Sequence, residues 1–414
     1  MPVQNYEPLN TNSDVTTTRT LLHEAIPITG SIISGTYKES DSGGASTPTN
    51  IKNYTHGQFQ SVYDYPYLSS SANHIFDLTV GYDDSSTLSS SAAVQNAKKI
   101  NMYNQFAQVL LGYSGSNNTV EIFESDLNFG DNDNQMKEVF FINFSRLLTK
   151  DQIRKGSFSL TVMTGTWAVG DRHTGPDGGT GLYWPAGPLL KLTDASSSAA
   201  LNTGTKNTIS GDYGVLYISA SANNATTGGP VGCQAITGGA ATGAKISGPG
   251  GSDKGVGVVF YQAGIAVITA SLFAGSASAG VVRDIAQQFE GSASSDIRLD
   301  RRVDQALTGA AISASCDALR HRIDNLSFNN TTEINSTIYF CRAPHNKYNY
   351  SSNPTYTSGS KIRVKNVASD PPVAYITTIG LYNAQNELLA VAKLSEPLRK
   401  DPTNEVTIRV RTDH

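Results

Sequence analysis

The chain has 414 residues, long enough for two or three ordinary domains or one large β domain with insertions. Only 16% of the residues are charged, against roughly 25% in ordinary globular chains, and 38 glycines with abundant Ser, Thr and Asn favour turns and short strands over long helices. A formal net charge of -4 gives no reason to expect nucleic acid or an anionic membrane as partner, and no apolar run approaches the ~20 residues of a membrane-spanning helix.

In chain order, residues 1–50 read as an extended N-terminal arm. Their only apolar stretch is LLHEAIPITGSIIS at 21–34, so the arm must lie on another surface to be ordered. The opening MPVQNYEPLNTNSD has neither the basic nor the apolar region of a secretory signal. Residues 51–170 are expected to form a β-rich core with an inserted helix. Within it, 57–82 is rich in Tyr and Phe and is expected to enter the core as strands. The helix is predicted over 92–111, where Ala93, Ala97, Ile100, Ala107 and Leu110 share a stripe and Ser89-Ser90-Ser91 precede it as a cap. A short strand at 119–123, a stronger one at 139–144, a helical turn at 146–155 with Thr149 as N-cap, and a strand at 158–164 follow.

Residues 171–295 read as a Gly/Ala/Thr-rich insertion with β-hairpins. It holds the strand GVLYISASA and a hairpin of 256–261 with 265–270 across Gln262-Ala263-Gly264. A helical segment is expected over 296–330, the helix itself at 296–325 with Ile297, Val303, Leu307, Ala311, Leu319 and Ile323 on one side. The remainder, 331–414, reads as C-terminal β-strands completing the core. Strands are predicted at 373–382 and 388–394, separated by the turn Asn383-Ala384-Gln385-Asn386, with a breaker-rich connection at 397–404. Val406, Ile408 and Val410 then alternate with Thr407, Arg409 and Arg411 as in a strand with one buried face, expected in a sheet that includes 139–144 and 158–164. The fold class predicted is mainly β with a few helices: a β-sandwich-like core, α+β insertions and an extended N-terminal arm.

Residues with chemical potential each fail a specific requirement. Asp131 and Asp133 in Asp131-Asn132-Asp133-Asn134 are weak metal candidates, because an EF-hand loop needs Gly at its sixth position and Met136 stands there. GGAATGAK at 238–245 misses a phosphate loop by the position of its Lys and the lack of a following Ser/Thr. Asp171, His173 and Asp177 offer acid/base groups with no nucleophile beside them, and GSASAG at 275–280 has the wrong spacing for a nucleophile elbow. His321 lies in Arg320-His321-Arg322, which reads as a solvated helix face. Cys233, Cys316 and Cys341 are isolated and odd in number, as expected of small buried residues in a reducing compartment. The expectation is therefore no catalytic site, no cofactor and no enzyme.

Several blocks together resemble one family: HEAIPITGSIISGTY, NYTHGQFQSVYDYPYLSSSANHIFDLTVGY, VFFINFSRLLTKDQIRKGSFSLTV, GVGVVFYQAGIAVIT and ITTIGLYNAQNELLAVAKLSEPLRKDPTNEVTIRVR. The family comprises virion structural proteins of tailed bacteriophages, above all the large contractile-tailed phages of aquatic bacteria. Residues 223–255 fit its pattern least. The resemblance implies a tail or baseplate component, assembled in the host cytoplasm into the virion. Its partners would be other phage structural proteins and further copies of the chain, with no nucleic acid and no membrane span. A head or neck protein (a decoration or connector subunit) and a receptor- or glycan-binding virion module are the alternatives. The resemblance carries no functional residues over.

Overall fold

EVFFINF at 138–144 is apolar at nearly every position. Consecutive strand residues point to opposite faces, so such a run is stable only in a sheet covered on both sides. The computed structural model describes residues 6–39, 47–113, 119–125, 135–163, 167–169, 183–185, 189–194, 206–219, 255–270, 307–351, 357–358, 361–362, 367, 369 and 371–413. In it, Glu138–Phe144 is such a strand. The fold is mainly β, built on a large antiparallel sheet with few helices.

The chain divides into two compact units, residues 23–332 and residues 1–22 with 333–414. In the first, the sheet runs from residues 323–332 of the strand Ile323–Ala343 through Ser159–Met163, Leu189–Thr193, Gly211–Ser219, Gly257–Phe260, Ile265–Thr269, Glu138–Phe144, His74–Tyr82 and Gln60–Tyr63 to Ile51–Asn53. Phe140, Ile142, Ala266, Ile268, Val259 and Leu216 belong to one buried cluster. Val139, Phe141, Ile265, Val267, Val258, Phe260 and Val215 belong to the other. The sheet curls, because Phe144 lies 4.9 Å from Phe328, on a strand several places away in the order, and 6.0 Å from Phe158, which immediately precedes the strand Ser159–Met163.

Each face has its own helix. Ile312–Arg320 contributes Ile312, Cys316 and Leu319 to the first cluster, while Asn96–Leu110 contributes Tyr103, Ala107 and Leu110 to the second. Gly81 permits the latter approach, since a Cβ there would stand 2.8 Å from the Lys99 carbonyl and 2.9 Å from the Tyr103 nitrogen. This helix starts at Asn96 with no side-chain cap from Ser89-Ser90-Ser91. Its N-cap is Gln95, in the left-handed region at φ 55, whose Oε1 accepts the backbone N–H of Ile312.

Lys99 is fully buried on this helix. Its ammonium donates to the carbonyls of Leu307 and Ala310, with Tyr82 5.9 Å away. Burial lowers its pKa from 10.5 to about 8. Between those values the unfolded chain holds a proton that the folded chain has released, so stability rises with pH across that window and the penalty is complete below it. Denaturant titrations at pH 8, 9 and 10 are expected to show the wild type gaining about 2–3 kcal/mol relative to Lys99→Met. A pH-independent difference would refute this account.

Several expected boundaries move. The 1–50 arm divides: Val15–Thr29 is a largely exposed strand, but Ile28 and Ile33 enter the main core. Asn50, also buried, donates to the carbonyls of Ile32 and Tyr63. Of the described strands of 171–295, Leu189–Thr193, Gly211–Ser219, Gly257–Phe260 and Ile265–Thr269 form the middle of the sheet, because GVVF and IAVIT have apolar side chains for both faces, while Tyr183–Pro185 pairs apart from it with Trp167–Val169. The second helix ends at Arg320 and a strand begins at Ile323, while 296–306 lies outside the described residues. The turn at 146–155 is helical only over Arg146–Thr149, with Ser145 as N-cap.

The C-terminal strands form as expected, and the two buried clusters contain no residue beyond Phe328. In the unit of residues 1–22 and 333–414, Val406–Asp413 pairs antiparallel with Ser336 to Ala343. Val410 is buried while Thr407, Arg409 and Arg411 are exposed, as the alternation predicts. Ala374–Tyr382 and Leu388–Lys400 form a separate two-stranded sheet. Asn383 sets its turn by accepting the N–H groups of Gln385 and Glu387. The second strand continues to Lys400, whose buried amine bonds to Asn349 and the Asp401 carbonyl, leaving a short turn held by Asp401.

Candidate functional site

At one end of the sheet in the 23–332 unit, Ile51, Val62 and Phe76 face the core. Period-2 geometry turns their neighbours Lys52, Ser61 and Asp77 to the opposite face, and the strand register aligns the three in one row. Asp77 is the hub. Its Oδ1 accepts from Ser61 Oγ at 2.5 Å and from His74 Nε2 at 2.8 Å, so that nitrogen carries the proton. Tyr54 stands with its hydroxyl 3.3 Å from Ser61 Oγ. Burial, helped by the Tyr54 hydroxyl and Asp77, pushes the Tyr63 phenol up to about 12.

Aromatic rings surround this row. Tyr54 stacks on His56 at 5.0 Å and meets Phe59 at 4.9 Å, and Tyr63 lies 5.4 Å from His74. The Lys52 ammonium sits 4.8 Å from the Tyr54 ring and 5.8 Å from that of Tyr67. Between the strands, residues 64–73 form a loop closed at its base. The Asp64 carboxylate accepts the backbone N–H of Asn73 at 2.6 Å and its amide at 2.8 Å. The loop is also tied sideways, by Tyr67 N–H to the Thr49 carbonyl at 3.0 Å. It displays Tyr65 (43% exposed), Tyr67 (36%) and Leu68 (89%).

This arrangement does not activate a nucleophile. In a Ser-His-Asp triad the imidazole stands between the hydroxyl and the carboxylate, whereas here both Ser61 and His74 donate to Asp77. The site instead holds amphipathic rings and polar groups in fixed positions, which suits recognition.

Those residues singled out in sequence that are described are not brought to this edge. Asp131, Asp133, Asp171, His173, Asp177, 238–245, 275–280 and Cys233 lie outside the described residues. Arg320-His321-Arg322 is not a solvated face: all three are buried. Their helix ends inside the core, where Arg320 finds acceptors on Gln60, Ile33, Ser34 and Asp317, and His321 Nδ1 lies 2.8 Å from the Asp317 carbonyl. Cys316 and Cys341 are free thiols, the first fully buried with its pKa raised well above the usual value, chiefly by burial. Among the described residues no group of three His, Cys, Asp or Glu side chains is placed to hold a metal ion, and no helix is long and apolar enough to cross a membrane.

The aromatic edge was missed because 57–82 read as core throughout. Gln60–Tyr63 and His74–Tyr82 are core strands, but the breaker-rich DYPYLSSSAN between them is the signal of an exposed loop. No protein-family model matches the chain, and neither a curated protein nor a solved structure is significantly similar to it.

Proposed function

We propose that the chain is a non-enzymatic structural subunit of a tailed-phage virion, a tail or baseplate component acting through protein–protein contacts. The sequence blocks that resemble such proteins support this reading, and one structural observation carries it. The hairpin of Ala374–Tyr382 and Leu388–Lys400 has no further strand on either edge among the described residues. Tyr375, Leu389 and Val391 are all more than half exposed, while Ile379 and Leu381 alternate with Gly380 and Tyr382 to make the other face apolar as well. A two-stranded sheet of this kind is marginal in water. Its open edges offer main-chain hydrogen bonds, and its side chains an apolar surface, to a neighbouring subunit that adds a strand.

Leu389→Asp with Val391→Asp tests the reading, since both residues lie on one exposed face. The double variant is expected to unfold at the wild-type temperature yet fall at least tenfold in incorporation when it replaces the wild type during particle assembly. In wild-type particles, Lys393 should cross-link to neighbouring structural subunits. Normal incorporation of the double variant would overturn the proposal.

A further inference from the structure

We infer that the aromatic edge of residues 52–77 is a saccharide-binding surface that takes a pyranose ring on Tyr65 and Tyr67 and reads its hydroxyls with the polar groups beside them. This is independent of the assembly role, which rests on the C-terminal hairpin.

The chemistry of the ligand follows from what is displayed. A pyranose has one apolar C–H face and a rim of hydroxyls that each donate and accept. The exposed rings are tyrosines, which combine an apolar face with a polar tip. Asp64, Asn73 and the Tyr54 hydroxyl supply acceptors and donors at fixed positions beside them. The surface is also prebuilt: the base of the loop is clamped by the Asp64–Asn73 pair and its flank by Tyr67 N–H. Binding therefore costs little ordering of the protein.

Charge and composition argue against the competing ligands. Lys52 and Lys98, whose ammonium donates to the His56 carbonyl, are matched in number by Asp64 and Asp77, so the edge has no field to attract a polyanion. A stable protein interface needs an apolar, well-packed centre on about 800 Å² per partner. Leu68 is the one strongly exposed aliphatic residue of this loop, and its neighbours are polar or aromatic.

The full-length chain is to be applied to an immobilised array of hexose- and N-acetylhexosamine-containing oligosaccharides, and any hit titrated in solution by calorimetry. The expected result is saturable binding to at least one oligosaccharide class. Tyr67→Ala and Tyr65→Ala should each weaken it at least tenfold, with the thermal midpoint unchanged. Tyr67→Phe, which keeps the ring, should stay within threefold of wild type. A blank array with folded wild-type protein overturns the inference, as does binding that both alanine variants retain. If the array is blank and Tyr67→Ala instead blocks particle incorporation, the edge is a protein contact and the inference is wrong.

Discussion

Replacing Arg320 with leucine is expected to remove about 3 kcal/mol from the stability of the 23–332 unit, read as a lower denaturant midpoint. The guanidinium is 2% exposed and spreads its donors over three parts of the chain. Nε donates to Gln60 Oε1 at 3.1 Å, Nη1 to the carbonyls of Ile33 (2.9 Å) and Ser34, and Nη2 to Asp317 Oδ1 at 2.6 Å. Leucine fills much of the volume but leaves these acceptors without their donor in a dry environment. Removing one partner of a buried pair typically costs 3–5 kcal/mol. The Asp317 side chain keeps 25% exposure and recovers some hydration, which puts the loss at the lower end. Arg320→Lys is expected to recover only part of it, because an ammonium cannot reproduce the planar fork. A leucine variant within 1 kcal/mol of wild type would show that the network adds no net stability.

Phe141→Ala is expected to cost about 3–5 kcal/mol by a different route. Phe141 is fully buried and stacks on Phe106 at 4.2 Å with 11° between the rings. Phe123 closes at 5.6 Å and Tyr103 at 6.3 Å. The strand fixes the residue from both sides, paired with Thr79 and Val267, so the backbone cannot move in to fill the void. The cavity opens toward Asn96–Leu110, and amide exchange in that helix should accelerate more than in His74–Tyr82. Phe141→Leu, which keeps most of the volume, should cost under about 1.5 kcal/mol. Equal losses for the two variants would exclude cavity formation as the cause.

These two residues also mark what can be read from sequence. Phe141 was legible, because FFINF and IAVIT are apolar at consecutive positions, and local composition alone identifies them as strands. The alternation of Val406, Ile408 and Val410 was equally plain. Arg320 was not legible: a cluster of charge reads as solvated unless its acceptors are known, and those come from residues 33, 34 and 60. The same limit applies to the C-terminal strand, whose periodicity reveals a buried face but not the partner strand, here Ser336 to Ala343. At the aromatic edge the tyrosines of 57–82 were visible as a group. Which of them leave the core depends on the pairing of Asp64 with Asn73, a geometric fact with only a faint local signal.

The Arg320 network has a further consequence for synthesis. Its bond to Ile33 joins positions 287 residues apart. At ribosomal rates of about 5–20 residues per second, Ile33 is made roughly 15–60 s before its donor. During that interval Ile51–Asn53, Gln60–Tyr63 and His74–Tyr82 can pair with one another, but the apolar face they share lacks the late strand and helix that cover it. The protein therefore matures with an order imposed by chain position, and its nascent form presents a sticky sheet that chaperones or rapid completion must shield.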